Sequence, residues 1–185
     1  MPLPQEKYYT YADYLTWDDD VRCELIDGMP YMMPPAPTTR HQSISGNLHG
    51  ILYNILKGKP CKVFAAPFDV RLNHNSYDDT VVQPDLVVIC DRNKIDDKGC
   101  VGAPDMVIEI LSPATASHDR IIKLRRYQKA GVREYWIVDP ETKTVQVFIH
   151  KNGEYVVAVY EETETVPVFV LEGLTIDLKD VFDEK

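Results

Sequence analysis

Apolar positions along this chain change period several times, and each change marks an element. From Ile44 through Leu48, Ile51, Leu52, Ile55 and Leu56 the spacing is three and four, a stripe along one face of a helix. Thr39 and Gln42 have capping-box spacing at its start, and Gly58 and Pro60 stop it. Upstream, Thr10 and Asp13 predict a capped short helix reaching about Trp17. Residues 24–26 and 29–33, joined by Asp27-Gly28, read as a β-hairpin on a two-residue turn. Pro34, Pro35 and Pro37 then break regular structure.

Beyond Pro60 the pattern shifts to short runs rich in β-branched residues, predicting strands over 61–66, 68–72, 84–90 and 105–111. The polar stretch 91–104, with Gly99 and Gly102, predicts a mobile loop. Ser112-Pro113 ends the last of these strands, and Ser117 and Gly131 bracket a helix over 118–130. A strand over 134–138 and a hairpin of 144–149 and 154–159 around Asn152-Gly153 come next. The remainder reads as one more strand and a frayed acidic end. Strands in the middle with flanking helices predict an α/β sandwich around a mixed sheet, one domain over 1–185.

Composition agrees with a globular chain: 185 residues, 44% hydrophobic and 26% charged. The start, Met-Pro-Leu-Pro-Gln-Glu-Lys, lacks the apolar core of a signal peptide, and no apolar run approaches the roughly 20 residues of a membrane span. Cys23, Cys61, Cys90 and Cys100 have no CxxC spacing, so reduced, mostly buried thiols in a cytoplasmic protein are expected, without zinc. A net charge of −9 argues against a generic nucleic-acid binder. Its distribution weakens that objection. Arg120, Lys123, Arg125, Arg126, Lys129 and Arg133 follow one another with no acidic residue between them, while acid gathers at 18–20, 161–164 and beyond Glu172. A local basic face can hold phosphates on an acidic protein.

The chemistry centres on Glu109, a lone carboxylate inside Met106-Val107-Ile108-Glu109-Ile110-Leu111. Buried and ionised, it costs several kcal/mol unless it is paired or ligates a metal. Asp85 opens a second apolar strand, so the two carboxylates suggest a divalent-cation site. At 100° per residue, Ile121, Leu124, Tyr127 and Ala130 set the apolar arc of the helix, with Arg125, Arg126 and Lys129 on the solvated side. Lys123 falls between Tyr127 and Ala130 and points inward, towards Asp85 and Glu109 or to Asp119 as an i,i+4 pair. Each residue has a plainer reading: Asp85 as a turn residue, Glu109 salt-bridged to an Arg, Lys123 reaching solvent along its stem. His41 stands at the first turn of its helix, near the site or bonded to a local carbonyl, and Glu24 offers a third carboxylate or a surface ion pair. His49, His74, His118 and His150 have no ligand spacing and read as structural or exposed. Tyr8, Tyr9, Tyr11 and Tyr14 read as packing.

These residues resemble a known family. Glu24-Leu25-Ile26-Asp27-Gly28, Arg40-His41, Pro84-Asp85, Val107 to Pro113, Asp119, Lys123, Tyr127, Gly131 to Trp136 and Val138-Asp139-Pro140 are similar to the PD-(D/E)XK nuclease superfamily, and within it to the Uma-type restriction-endonuclease-like family. The resemblance implies a restriction-endonuclease-like α/β core, a mixed sheet flanked by helices with extra β-hairpins. It also implies a metal-dependent DNA endonuclease, with Mg²⁺ (or Mn²⁺) held by Asp85, Glu109 and the Ile110 carbonyl. Water attacks phosphorus in line, and Lys123 orients it or stabilises the transition state. The superfamily lysine two residues after the glutamate is Leu111 here, and the Uma-type pattern moves that role to Lys123. Glu24, His41 and Tyr127 match supporting positions. Nucleases that cut both strands pair, so a homodimer is expected, with 155–160 as its apolar edge. Two other classes remain open: a catalytically inactive nucleic-acid-binding or assembly module of this fold, and a metal-dependent hydrolase of a small phosphorylated substrate.

Overall fold

The computed structural model describes residues 7–17, 22–34, 36–73, 78–113 and 115–183. His74, Pro35 and the acidic run 18–20 lie outside them. One six-stranded sheet runs in the order β12 (Glu154–Glu161), β11 (Thr144–Lys151), β10 (Glu134–Asp139), β9 (Met106–Ile110), β6 (Leu86–Ile89) and β3 (Lys62–Ala65). Only β9 and β10 pair in parallel in it, across a helical connection. A second sheet runs β2 (Met29–Met32), β1 (Cys23–Ile26), β5 (Val81–Val82), β4 (Val70–Arg71), β8 (Gly99–Val101) and β7 (Ile95–Asp96). A small hairpin joins β13 (Thr165–Pro167) to β14 (Thr175–Asp177). The helices are α1 (Tyr11–Tyr14), α2 (Thr39–Leu56), α3 (Leu124–Ala130) and α4 (Leu178–Val181), and a wider π-type coil, His118–Lys123, leads into α3.

Period-two alternation divides the first sheet between two cores. Leu86, Val88, Met106, Ile108, Ile110, Trp136 and Val138 face α2, whose Ile44, Leu48, Leu52 and Leu56 form the stripe read from the sequence. Val87, Ile89, Val107, Leu111, Tyr135 and Ile137 face the other way, onto Tyr127 of α3 and Val70, Val82 and Cys100 of the second sheet. Covered on both faces, β9 is apolar at every position except Glu109. Asp27 and Gly28 both have positive φ, 50° and 73°, the mirror-image turn that a two-residue hairpin needs.

Several local expectations are corrected. The expected mixed sheet flanked by helices is present, and the Asp27-Gly28 hairpin extends into a second six-stranded sheet. The stretch 91–104 is built structure: β7 and β8 join the second sheet, Cys100 N–H bonds to the Asp69 carbonyl (2.8 Å) and Gly102 N–H to that of Arg71 (2.8 Å). Gly99, at φ 129°, lies against the Asp69 carbonyl where a Cβ would collide, so it marks a close approach and not slack. The C-terminal segment carries the β13–β14 hairpin and α4, capped by Asp177 and buried through Leu178, Val181 and Phe182. Cys61 and Cys90 form a disulfide; the β3–β6 register, Lys62 opposite Ile89, brings them face to face. Cys23 and Cys100 alone are free among the four, so the cysteines do not argue for a reducing compartment. Among the described residues no helix is long and apolar enough to cross a membrane.

Trp136 anchors the shared sheet: its ring is fully buried against α2 and its indole N–H donates to the buried carboxylate of Glu134 (2.7 Å). Glu134 accepts in turn from Val170 N–H (2.8 Å), tying the C-terminal segment to β10. Trp136→Ala should cost about 3–5 kcal/mol of stability, read as a lowered denaturation midpoint.

Candidate functional site

The β6–β9 register, Leu86 opposite Ile108 and Val87 opposite Val107, continues to place Asp85 opposite Glu109. Residues directly opposed in an antiparallel pair share a face, so both carboxylates leave the sheet on the side of α3. Asp85 Oδ2 accepts the Ile110 N–H (2.7 Å), which fixes it across the strand pair. The His41 ring, from the first turn of α2, brings Nε2 within 3.2 Å of the same oxygen.

Lys123 closes the site from the helical side. Its side chain is 6% exposed, and Nζ lies 2.9 Å from Glu109 Oε1, 2.8 Å from Glu24 Oε1 and 3.6 Å from Asp119 Oδ1. Tyr127, one turn on, donates its hydroxyl to Glu109 Oε1 (2.7 Å). Glu24 arrives on β1 of the second sheet and also accepts the Gln83 N–H (2.8 Å). The inward Lys123 of the helical wheel is observed, and so is its contact with Asp119. The wheel fails at Ile121, which is 53% exposed, because the π-type coil unwinds the arc there. The start of this helix lies earlier than Ser117: Ser112 Oγ accepts from Thr115 N–H (3.3 Å), and Ala116 N–H bonds to Ser112 O (3.0 Å). The cap of α2 also shifts, from Thr39 to Thr38, which accepts from His41 N–H (3.3 Å).

One ammonium among several carboxylates sets the electrostatics. Burial pulls Lys123 down, but Glu109, Glu24 and Asp119 more than reverse that and hold it well above its ordinary value. Burial raises Glu24 too, yet Lys123, His118 and the Gln83 N–H together bring it to about 2. Glu109 goes the other way: burial and the charges of Asp119, Asp85 and Glu24 outweigh Lys123, and its carboxyl is held well above the usual range. Asp119 is raised by burial, against the pull of Lys123. His41 is raised: burial opposes its charge, but Asp85 and the Ile110 carbonyl favour the imidazolium more. Burial raises the Tyr127 hydroxyl as well, and its neighbour Glu109 adds to this, so it stays a donor.

A cavity of about 500 Å³ opens over this cluster. Asp85, Glu109, Ile110, Lys123, Asp119 and His41 all line it. Glu24 and Tyr127 stand behind, bonded to Lys123 and Glu109. Two contributors had no sequence signal of their own. His118, whose Nε2 is 3.6 Å from Glu24 Oε2, reaches the site only because a second sheet delivers Glu24. Arg22 lines the mouth from a position beside β1. His49 stacks on Tyr53 and His150 on Tyr155, away from the cluster. The basic run is mostly occupied: Arg120 pairs with Asp139 (3.0 Å), Arg126 with Asp27 and Arg133 with Asp105 (3.1 Å).

Residues 11–179 match the family model described as Uma2, "Putative restriction endonuclease". An uncharacterized protein of Synechocystis sp. (strain ATCC 27184 / PCC 6803 / Kazusa) is 27% identical over 158 residues, 82% of this chain and 80% of that protein. The fold is similar to that of a "putative nuclease belonging to DUF820" from Anabaena variabilis ATCC 29413, with a TM-score of 0.76 and 23% identity over 94% of this chain and 97% of that one. The shared architecture is a restriction-endonuclease-like core, mixed sheets flanked by helices.

Glu24 supplies a pH-dependent part of the stability. A carboxyl held near 2 instead of its ordinary 4.5 is worth about 3 kcal/mol, present above pH 4.5 and lost as pH falls towards 2. Glu24→Gln should therefore melt well below the native protein at pH 7, with the gap closing as melts are repeated down to pH 3.

Proposed function

The chain belongs to the Uma2 family of restriction-endonuclease-like proteins, a nuclease-like family, and on that premise we propose that it is a metal-dependent DNA endonuclease. The observation that carries this reading is the pairing of Asp85 and Glu109 across β6 and β9 at a cavity whose buried cation is Lys123.

The donor chemistry fits a hard divalent cation. Asp85, Glu109 and the Ile110 carbonyl offer oxygen ligands, as Mg²⁺ or Mn²⁺ prefers. Glu24, Asp85, Glu109 and Asp119 exceed what Lys123 and a protonated His41 can neutralise, so the cluster favours added positive charge. Among the described residues no three His, Cys, Asp or Glu side chains form a ready-made metal cage. Mg²⁺ keeps several waters and needs only one or two carboxylates. Held there, the cation would neutralise phosphate oxygens and make water a nucleophile near neutral pH.

The chain's own groups do the rest. Lys123, held as an ammonium, cannot serve as a base; it donates to the attacking water or to the charge gathering on the phosphoryl oxygens. Glu24 and Asp119 fix its position. Tyr127 aims the Glu109 carboxylate, and the Ile110 N–H and His41 aim Asp85. Leu111, at the position of the superfamily lysine, is buried in the core beside Tyr127 and Tyr135, so Lys123 is the ammonium in reach of the phosphate. DNA is the partner in this reading.

We also propose a homodimer through β12. This strand closes the first sheet without a neighbour, and Val156, Val157 and Val159 are each more than half exposed. His150 N–H bonds to Arg133 O on the β10 side, so by alternation the outward backbone groups of β12 are those of Tyr155, Val157, Val159 and Glu161. No proline or lysine interrupts 154–161, so nothing in the strand blocks antiparallel pairing with a second copy.

Glu109→Gln should lower Mg²⁺-dependent plasmid nicking by at least about a hundredfold while the protein stays folded; undiminished nicking in that variant would sink the reading. Val157→Lys should turn a dimer into a monomer by light scattering on a sizing column, and a monomeric native protein would end the dimer proposal.

A further inference from the structure

The cavity's shape and charge bear on which form of DNA can reach the site. The reactive groups are recessed: Glu109 is 3% exposed and Lys123 5%, at the floor of a cavity of about 500 Å³. That volume is in the range of small-molecule pockets, about 300–1,000 Å³, room for a nucleotide or two and not for a double helix. Met33, Pro34, Pro37, Pro67 and Pro113 line the same cavity as the carboxylates and make its apolar part, the proline wall. Apolar side chains of this kind pack against the face of an unstacked base by dispersion and offer nothing to a phosphate.

Duplex binding rests on many phosphate contacts, and this surface is short of them. Three arginines of the basic helix region, Arg120, Arg126 and Arg133, are paired with Asp139, Asp27 and Asp105, and Lys123 is enclosed. Among the described residues, Arg125 and Lys129 remain exposed with no ion pair, and Arg22 and Lys123 are the only Lys or Arg residues lining the cavity. With a net charge of −9 behind them, these few cations suit a single strand, whose charge density is lower than that of a duplex.

We propose that the site takes single-stranded DNA, drawing one phosphodiester to the Asp85–Glu109 pair and seating the adjacent base on the proline wall, in preference to an intact duplex. The inference rests on the nuclease reading for its chemistry, but its test does not depend on cleavage. Fluorescence anisotropy with a labelled single-stranded oligonucleotide and the same sequence as a blunt duplex, in Ca²⁺ at low salt, should give a single-strand affinity at least about tenfold higher. Arg22→Ala should weaken single-strand binding several-fold and leave the melting temperature unchanged, because that side chain is exposed. Equal or tighter duplex binding, or no binding of either form, overturns the proposal. Parallel digestion in Mg²⁺ separates the two ideas. Single-strand binding without cleavage of any DNA leaves this inference standing and removes the nuclease reading, whereas preferential duplex cleavage does the reverse.

Discussion

The Lys123 ammonium, shared by Glu24, Glu109 and Asp119, is the interaction on which the rest of this architecture turns. Its three partners come from β1 of one sheet, β9 of the other and the helical segment between β9 and β10. A single buried cation thus joins the layers where they meet. Removing one member of such a cluster leaves an uncompensated buried charge, which is why buried pairs are so costly to break even when they add little net stability. The balance is left on the acidic side, with Glu109 held protonated more readily than an ordinary glutamate. An excess of that sign sets the cluster apart from a purely structural ion pair, in which the two charges balance.

Much of the fold was legible because its signals are local and periodic. The α2 stripe, the β6 and β9 runs and the Asp27-Gly28 and Asn152-Gly153 turns each declare themselves within a few residues. What escaped is non-local. Strands of two or three residues, such as β5 and β7, carry no periodicity and exist only because neighbours supply hydrogen bonds. Gly99 looked like slack, yet it is a contact point, since the Asp69 carbonyl that crowds it lies 30 residues away in sequence (99 against 69). Ser117 has the right chemistry for a cap, but Ser112 already has Pro113 after it and Thr115 to answer it, and the helix starts there.

The site divides along the same line. Asp85, Glu109 and Lys123 could be read as a set because each violates the pattern of its own element: a carboxylate at the head of an apolar strand, another inside one, a lysine on an apolar arc. Glu24 and His41 could be read only as open alternatives, and His118 and Arg22 needed the structure, because the second sheet brings Glu24 against His118 and Arg22 to the cavity. The basic run looked available for phosphates until Arg120, Arg126 and Arg133 were found paired with Asp139, Asp27 and Asp105, acids outside the run that the fold brings to it.

The opposition of Asp85 and Glu109 has a consequence for how this chain folds correctly. Side chains alternate across a strand, so a slip of one residue between β6 and β9 would turn one carboxylate of the pair into the apolar core beneath α2. An unpaired carboxylate there costs several kcal/mol, a large share of the stability of an ordinary domain. The carboxylate pair therefore proofreads the assembly of its own sheet, and a misaligned chain is rejected by the same residues that line the cavity.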